Sequence, residues 1–181
     1  MFRFTSGRYT VSVSSDQSEP SFERYKQEAK LVESFGEDID GDLFCWIAVA
    51  EGMRLPFLFT TYRYTYDAEE GFHSGIVLLP EHHRVFIGVG EQLVAYKLDT
   101  PERLWEEQAY GGFWWWEYHH HYVIMAAELK VAVWTKDGQP LWSLPTEPPW
   151  DYTLDDELMH LTVMGQQSSI ILKSGKIVSL E

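Results

Sequence analysis

Cross-linking from within is closed to this chain: Cys45 is its one cysteine, so no internal disulfide can stand in for a core. Positive charge is scarce as well. Against 28 Asp and Glu the 181 residues carry only 14 Lys and Arg, a net charge of −14 that repels a phosphate backbone and an anionic bilayer alike. Neither nucleic acid nor a membrane is expected as a partner. No run approaches the roughly 18 uninterrupted apolar residues of a spanning helix, and MFRFTSGRYTVSVSSD lacks the basic segment and apolar stretch of a secretory signal. The expected compartment is the cytoplasm. A Gly-x-Ser-x-Gly elbow is missing, GVGEQ (88–92) lacks the third glycine of a phosphate loop, and Cys45 sits in the apolar run LFCWIAVA, where a thiol is buried and inert. Support for an enzyme is thin, and no cofactor is expected.

What is abundant is apolar and aromatic side chain, 45% and 15% of the residues, enough to build one domain over 1–181. RYTVSVS (8–14) alternates Tyr9, Val11 and Val13 with polar neighbours, the period of a half-buried strand. From Ser18 the period changes. Phe22, Tyr25, Ala29, Val32 and Phe35 recur at steps of three and four between Pro20 and Gly36, which predicts one amphipathic helix over about 19–35. Residues 1–42 thus read as an N-terminal strand and helix, and 43–181 as sheets.

Those sheets repeat. VFIGVGEQLVAYKLDTPERLW (85–105) overlies VIMAAELKVAVWTKDGQPLW (123–142) with Val85 on Val123, Leu93 on Val131, Tyr96 on Trp134 and Asp99 on Asp137, every offset being 38. A further step of 38 takes Val123 to Leu161 and Trp134 to Leu172. A step back takes Val85 to Ile47 and Leu93 to Leu55 in a weaker copy. GIVLL, RVFIGVG, LVAYKL and RLW fill four strand positions in the clearest copy, so the fold class is mainly β: repeated four-stranded antiparallel sheets of period 38, partial or minimal β-propeller-like, with one N-terminal amphipathic helix. Either four blades close a minimal ring, or the sheets form an open fan that the N-terminal segment covers. The fan is favoured, because the helix's apolar stripe needs a surface and sheet edges need protection.

The segments LVAYKLDTPERLW and VAVWTKDGQPLW resemble the blade-closing part of pyrroloquinoline-quinone-type β-propeller repeats, in which an aliphatic strand leads to Asp, a turn with Gly, and Leu-Trp. The resemblance covers about 85–181. It departs from the pattern at Thr100-Pro101, where Thr-Gly is usual, and the third copy has no closing Trp. It implies blades, and no quinone or metal ligand is carried over.

Candidate chemistry gathers in the turns. His82-His83 and His119-His120-His121 occupy the turn between first and second strands of successive copies, with EDIDGD (37–42) and DDE (155–157) in the outer ones, so one rim would read acidic, histidine, histidine, acidic. His83, His119 and His121 are the metal candidates, although no compact ligand spacing on a regular element supports them, and solvated turn histidines are the competing reading. Asp38, Asp40 and Asp42 fail as an EF-hand loop because Leu43 and Val49 stand where Gly and Glu are needed. Of the rings, Trp114 and Trp116 are expected on one face of a strand and Trp115 on the other, Tyr62, Tyr64 and Tyr66 share a face, and Trp150 is a candidate anchor if exposed.

Acids concentrate in two windows without Lys or Arg: six in 31–53 and six in 137–172, from Asp137 and Glu147 through Asp151 to Asp155, Asp156 and Glu157. Solubility explains such windows, and so does a field aimed at a basic partner. The leading reading is an acidic cytoplasmic protein-binding module, in its most concrete form an immunity or inhibitor protein against a basic toxin, binding through Asp38, Asp40, Asp42, Trp150, Asp155, Asp156 and Glu157. Two alternatives stand beside it: a metal-binding protein or metal-dependent enzyme using the histidine rim, and a structural partial propeller that closes by homo-oligomerisation.

Overall fold

The computed structural model describes residues 1–37, 39, 43–65 and 74–180. Seventeen strands form four sheets. The first contains β1 (Phe2–Ser6), β2 (Tyr9–Ser14), β3 (Leu31–Phe35), β4 (Leu43–Glu51) and β5 (Leu58–Tyr64) in the order β1-β2-β4-β5-β3, with α1 (Ser21–Glu28) between β2 and β3. The other three are antiparallel meanders. They comprise β6 (Ser74–Leu79), β7 (Arg84–Val89), β8 (Gln92–Lys97) and β9 (Glu102–Gln108); β10 (Phe113–His119), β11 (Tyr122–Ala127), β12 (Lys130–Thr135) and β13 (Pro140–Pro145); and β14 (Trp150–Leu154), β15 (Leu158–Val163), β16 (Gln166–Ile171) and β17 (Ile177–Leu180).

Because successive side chains of a strand point to opposite faces, an all-apolar strand must be covered on both. That is the situation in the middle of this stack. Val85, Ile87 and Val89 pack on the first sheet among Val11, Ile47 and Leu58, whereas Phe86 turns to the third. In β11, buried throughout, Val123 and Met125 meet the second sheet, and Ile124 and Ala126 meet Met159 and Leu161 of the fourth. Among the described residues no core cluster joins the fourth sheet to the first, so the stack is an open fan.

Both ends of the fan are closed differently. On the outer face of the first sheet Phe22 of α1 packs against Phe59, Phe44 and Trp46, with Tyr25 edge-on to Trp46. The fourth sheet presents the cross-strand rows Asp151, Thr162, Gln167 and Thr153, His160, Ser169 on its outer face, a surface that water covers without cost. No helix among the described residues is long and apolar enough to cross a membrane.

The helix is shorter than its periodicity predicts. It ends at Glu28, Ala29 is extended, and Leu31–Phe35 pairs in parallel with Leu58–Tyr62 as a fifth, outer strand. Val32 and Phe35 continue the helical spacing by coincidence: Phe35 faces the core and Val32 is exposed. Hydrogen bonds from the Lys30 and Leu31 amides to Phe57 O start the strand, a partner more than twenty residues downstream that local spacing cannot reveal.

Backbone bonds align the copies without reference to side chains. The amides of Gly52, Leu98, Lys136 and Leu172 bind the carbonyls of Arg8, His83, His121 and Glu157, closing the same turn in each sheet. The step from His83 to His121 is 38, as read from the sequence. From His121 to Glu157 it is 36, so Ile170, not Leu172, pairs where Trp134 does, and Met159, not Leu161, corresponds to Val123. The inserted α1 and β3 break the earlier step altogether: β2 corresponds to β7 and β4 to β8, which removes the match of Ile47 with Val85 and of Leu55 with Leu93.

Indoles fasten neighbouring sheets. Trp105 Nε1 donates to Gly138 O at 2.7 Å and Trp142 Nε1 to Leu172 O at 2.6 Å, each from the last strand of one sheet to the turn of the next. Phe113 lies on Gly88 and Gly75, where an added Cβ would stand 2.6 and 2.7 Å from its ring. Gly88→Ala is therefore expected to cost about 1–3 kcal/mol through overpacking, and Trp142→Phe about 1 kcal/mol through the lost hydrogen bond, both read as lowered urea midpoints at unchanged slope.

Candidate functional site

Each sheet reaches its neighbour at the rim through the residue that opens its second strand. Tyr9 Oη lies 2.8 Å from His83 Nδ1, Arg84 Nε donates to Asp137 O at 3.0 Å, and Tyr122 Oη donates to Glu157 Oε2 at 3.2 Å. The rim turns in order are thus those of Arg8, His83, His121 and Glu157. EDIDGD is not the first-sheet counterpart, since it lies between β3 and β4; Asp38, Asp40 and Asp42 themselves fall outside the described residues.

The rim pulls the histidines apart. His83 is held by Tyr9 of the first sheet, His119 Nε2 donates to Asp155 O of the fourth at 3.0 Å, and His121 is exposed beside a cleft of about 430 Å³ shared with Lys136 and Lys173. His120 Nε2 is 3.5 Å from Asp156 Oδ1, an ion pair when the imidazole is protonated. Convergence of His83, His119 and His121 therefore fails, and among the described residues no three His, Cys, Asp or Glu side chains could hold a metal together.

The two acidic windows separate on inspection. Glu33 faces inward from β3, accepting from Tyr96 Oη at 2.7 Å with Arg103 Nη1 at 3.4 Å, and Glu51 is paired with Arg8 and Arg54. These are joints between elements. From Asp137 to Glu157, by contrast, no carboxylate has a Lys or Arg ion-pair partner among the described residues. Asp155 and Asp156 are exposed, and Glu157 is exposed while receiving the Tyr122 hydroxyl.

The condition for Trp150 as an anchor is not met. It is 7% exposed, donates to Glu128 O at 2.8 Å and stacks on Trp114 at 5.3 Å, so packing between sheets holds it. Trp114 and Trp116 do not share a face either. A bulge at Trp114 lets Phe113 and Trp116 both meet the second sheet, while Trp114 and Trp115 both turn toward the fourth. Tyr62 is buried against Phe35, and Tyr66 lies outside the described residues.

The bulge also sets up a cluster of rings and one carboxylate between β10 and β14 that sequence spacing does not reveal. Trp115, 40% exposed, lies flat along Tyr152 and donates to Tyr152 Oη at 3.0 Å; that hydroxyl donates in turn to Glu117 Oε2 at 2.8 Å. Burial first, and then the Glu117 carboxylate, push the Tyr152 phenol well above its ordinary value. A second cleft, about 500 Å³ between Tyr64, Gln92 and Leu129, brings no acid–base pair into contact.

No protein-family model matches the sequence, and neither does any curated protein. Similar solved structures are BamB from Moraxella catarrhalis (16% identity, TM-score 0.42, 65% of this chain and 39% of that one) and the β-propeller domain of Cps50 (Swd1) from Myceliophteria thermophila (12%, 0.41, 61% and 39%). The Pan2 WD40 domain from Neurospora crassa is another (15%, 0.40, 63% and 39%). The chain's own sheets, three of them four-stranded antiparallel meanders, are blade-like repeats. The chain spans about two-fifths of the length of these neighbours.

Burial pushes the Cys45 thiol up to about 12 from an ordinary 9.0, and the hydroxyls of Tyr62 and Tyr96 well above 10.0. The folded chain keeps these protons at a pH where the unfolded chain loses them. Below pH 9.0 they leave stability unchanged, and from there upward stability is expected to fall, by as much as about 1.4 kcal/mol per pH unit for each such group. Urea midpoints across pH 7–12 check this, and native Cys45 is expected to stay unreactive toward a thiol reagent at pH 8 until urea unfolds the chain.

Proposed function

We propose that the chain is a protein-binding module that engages a basic partner through the acidic rim of its fourth sheet. The observation that carries the reading is the run of carboxylates from Asp137 to Glu157 that, among the described residues, has no Lys or Arg ion-pair partner, centred on the turn Asp155-Asp156-Glu157. The long-range field of such carboxylates steers a basic partner toward them and raises the association rate more than it deepens affinity. Asp38, Asp40 and Asp42, which lie outside the described residues, belong to the proposed binding set on the strength of their sequence cluster alone. An immunity or inhibitor protein acting in the cytoplasm on a basic toxin is the most concrete form of this function, because such a protein profits from a fast encounter.

The blade-closing Leu-Trp pairs, Leu104-Trp105 and Leu141-Trp142, support placing the blades with the pyrroloquinoline-quinone-type repeats, as scaffold and without their cofactor. Closure of the fan by pairing with a second copy is less favoured. One end face is occupied by α1, and the middle of the other carries the polar rows Asp151, Thr162, Gln167 and Thr153, His160, Ser169, so neither offers a broad apolar sheet to stack on.

Replacing Asp155, Asp156 and Glu157 by Asn, Asn and Gln is expected to slow association with a basic partner recovered by cross-linking about tenfold at low salt. Dissociation should change little, and the difference should vanish at high ionic strength. Equal association rates for parent and variant across ionic strength would remove the reading.

A further inference from the structure

The position occupied by Glu117 has a counterpart on the inner strand of every sheet. Each cross-strand pairing places it: Phe4 opposite Val11, Val77 opposite Phe86, Glu117 opposite Ile124 and Thr153 opposite His160. In the first two sheets the residue is apolar and packs into the gap before the next sheet, Phe4 with the first core and Val77 with the second. In the third sheet a carboxylate takes that place. An acid there forgoes the apolar contact that Phe4 and Val77 make, and its carboxylate accepts one hydrogen bond, from Tyr152. Only Oε2 of Glu117 receives that bond, and among the described residues no Lys or Arg pairs with the carboxylate.

Beside this carboxylate the rings are arranged as a platform. Trp114, Trp115, Trp150 and Tyr152 lie within 28° of parallel in each stacked pair, at centroid separations of 5.3–6.2 Å. Trp115 is the member open to solvent. Its indole nitrogen and the Glu117 carboxylate bind the same Tyr152 hydroxyl, so a solvent-open ring lies beside a carboxylate whose Oε1 has no protein hydrogen bond among the described residues. A flat, electron-rich surface next to a carboxylate is complementary to a planar cation that can stack and donate two hydrogen bonds at once.

We propose that the cluster between β10 and β14 binds an arginine side chain of a protein partner, its guanidinium stacked on Trp115 and paired with Glu117. This deepens the protein-binding reading and rests on it, since it supplies the anchoring contact where the rim supplies only the field. Lysine fits less well, because a compact ammonium does not stack and is more strongly hydrated.

The probe is acetyl-Gly-Arg-Gly-amide, followed through the Trp115 indole N–H resonance, with the citrulline analogue as a neutral isostere and the lysine peptide as the second cation. A saturable shift is expected with arginine, about tenfold weaker with citrulline or lysine, and weakened about tenfold by Glu117→Gln, which keeps an acceptor for Tyr152 and hence the fold. The native amide spectrum of that variant checks that only the charge was lost. Absence of a saturable shift, equal shifts from arginine and citrulline, lysine binding as tightly as arginine, or undiminished binding in Glu117→Gln each overturns the proposal. Its failure is distinguishable from that of the wider reading. Should the Asp155-Asp156-Glu157 variant slow association with the basic partner while Glu117→Gln leaves its dissociation unchanged, the module stands and the arginine site falls.

Discussion

A sheet that is apolar on both faces cannot exist alone, and the rest of this structure follows from that. Tyr122–Ala127 is buried along its entire length, so the third sheet requires a neighbour on each side, and Arg84–Val89 makes the same demand of the second. A stack is the only arrangement that meets both demands. Its members are then registered by bonds that cross between sheets: the indoles of Trp105 and Trp142 to backbone carbonyls, and the phenols of Tyr9, Tyr96 and Tyr122 to polar side chains of a neighbouring sheet. Apolar burial supplies cohesion without direction. The polar stitches, whose donors would otherwise be desolvated and unpaired, fix the relative placement.

A stack that does not close into a ring must end somewhere, and the ends show two solutions to one problem. The first sheet carries Trp46, Ala48 and Phe59 outward and must be covered, which is what the inserted α1 does with Phe22 and Tyr25. The fourth carries Asp151, Thr153, Thr162 and Gln167 outward and needs no cover. The insertion that brings the helix also brings β3, which adds an outer strand whose Glu33 is tied to Tyr96 and Arg103 of the second sheet. One excursion of the chain between β2 and β4 therefore closes an end face and strengthens the joint to the next sheet.

The repeat was legible in the sequence because its signal is dense: apolar strands, fixed turns and a Leu-Trp pair recur with little change from the second sheet to the third. Where the signal thinned, distance in the chain was the cause. Leu31–Phe35 reads as helix until Leu58–Tyr62 is brought beside it, and Ile47 reads as a second strand until the insertion before it is recognised. The candidate site was less legible for a different reason. Charge and aromatic content mark out the acidic turn at Asp155–Glu157, but they cannot distinguish a free carboxylate from Glu33, which serves as a joint, or an exposed ring from Trp150, which is core.

The cluster at Trp115 and Glu117 arises from two small departures from the repeat rather than from a motif. The turn His120-His121 is two residues shorter than Pro80–His83, which moves the inner strand by an even number and so preserves which face each residue takes. The bulge at Trp114 then adds one residue, and everything before it changes sides relative to everything after. Phe113 thereby keeps its place on Gly88 while Trp115 and Glu117 are both directed at the fourth sheet. A strict 38-residue overlay sets Glu117 against Leu79 and conceals that its true counterpart is Val77, a position the core would fill with an apolar side chain. Breaking a rule that neighbouring copies obey costs stability, and such a cost persists where the altered position performs a function. In this fan the scaffold is the part that repeats, and the arginine site proposed above sits where the repeat is broken.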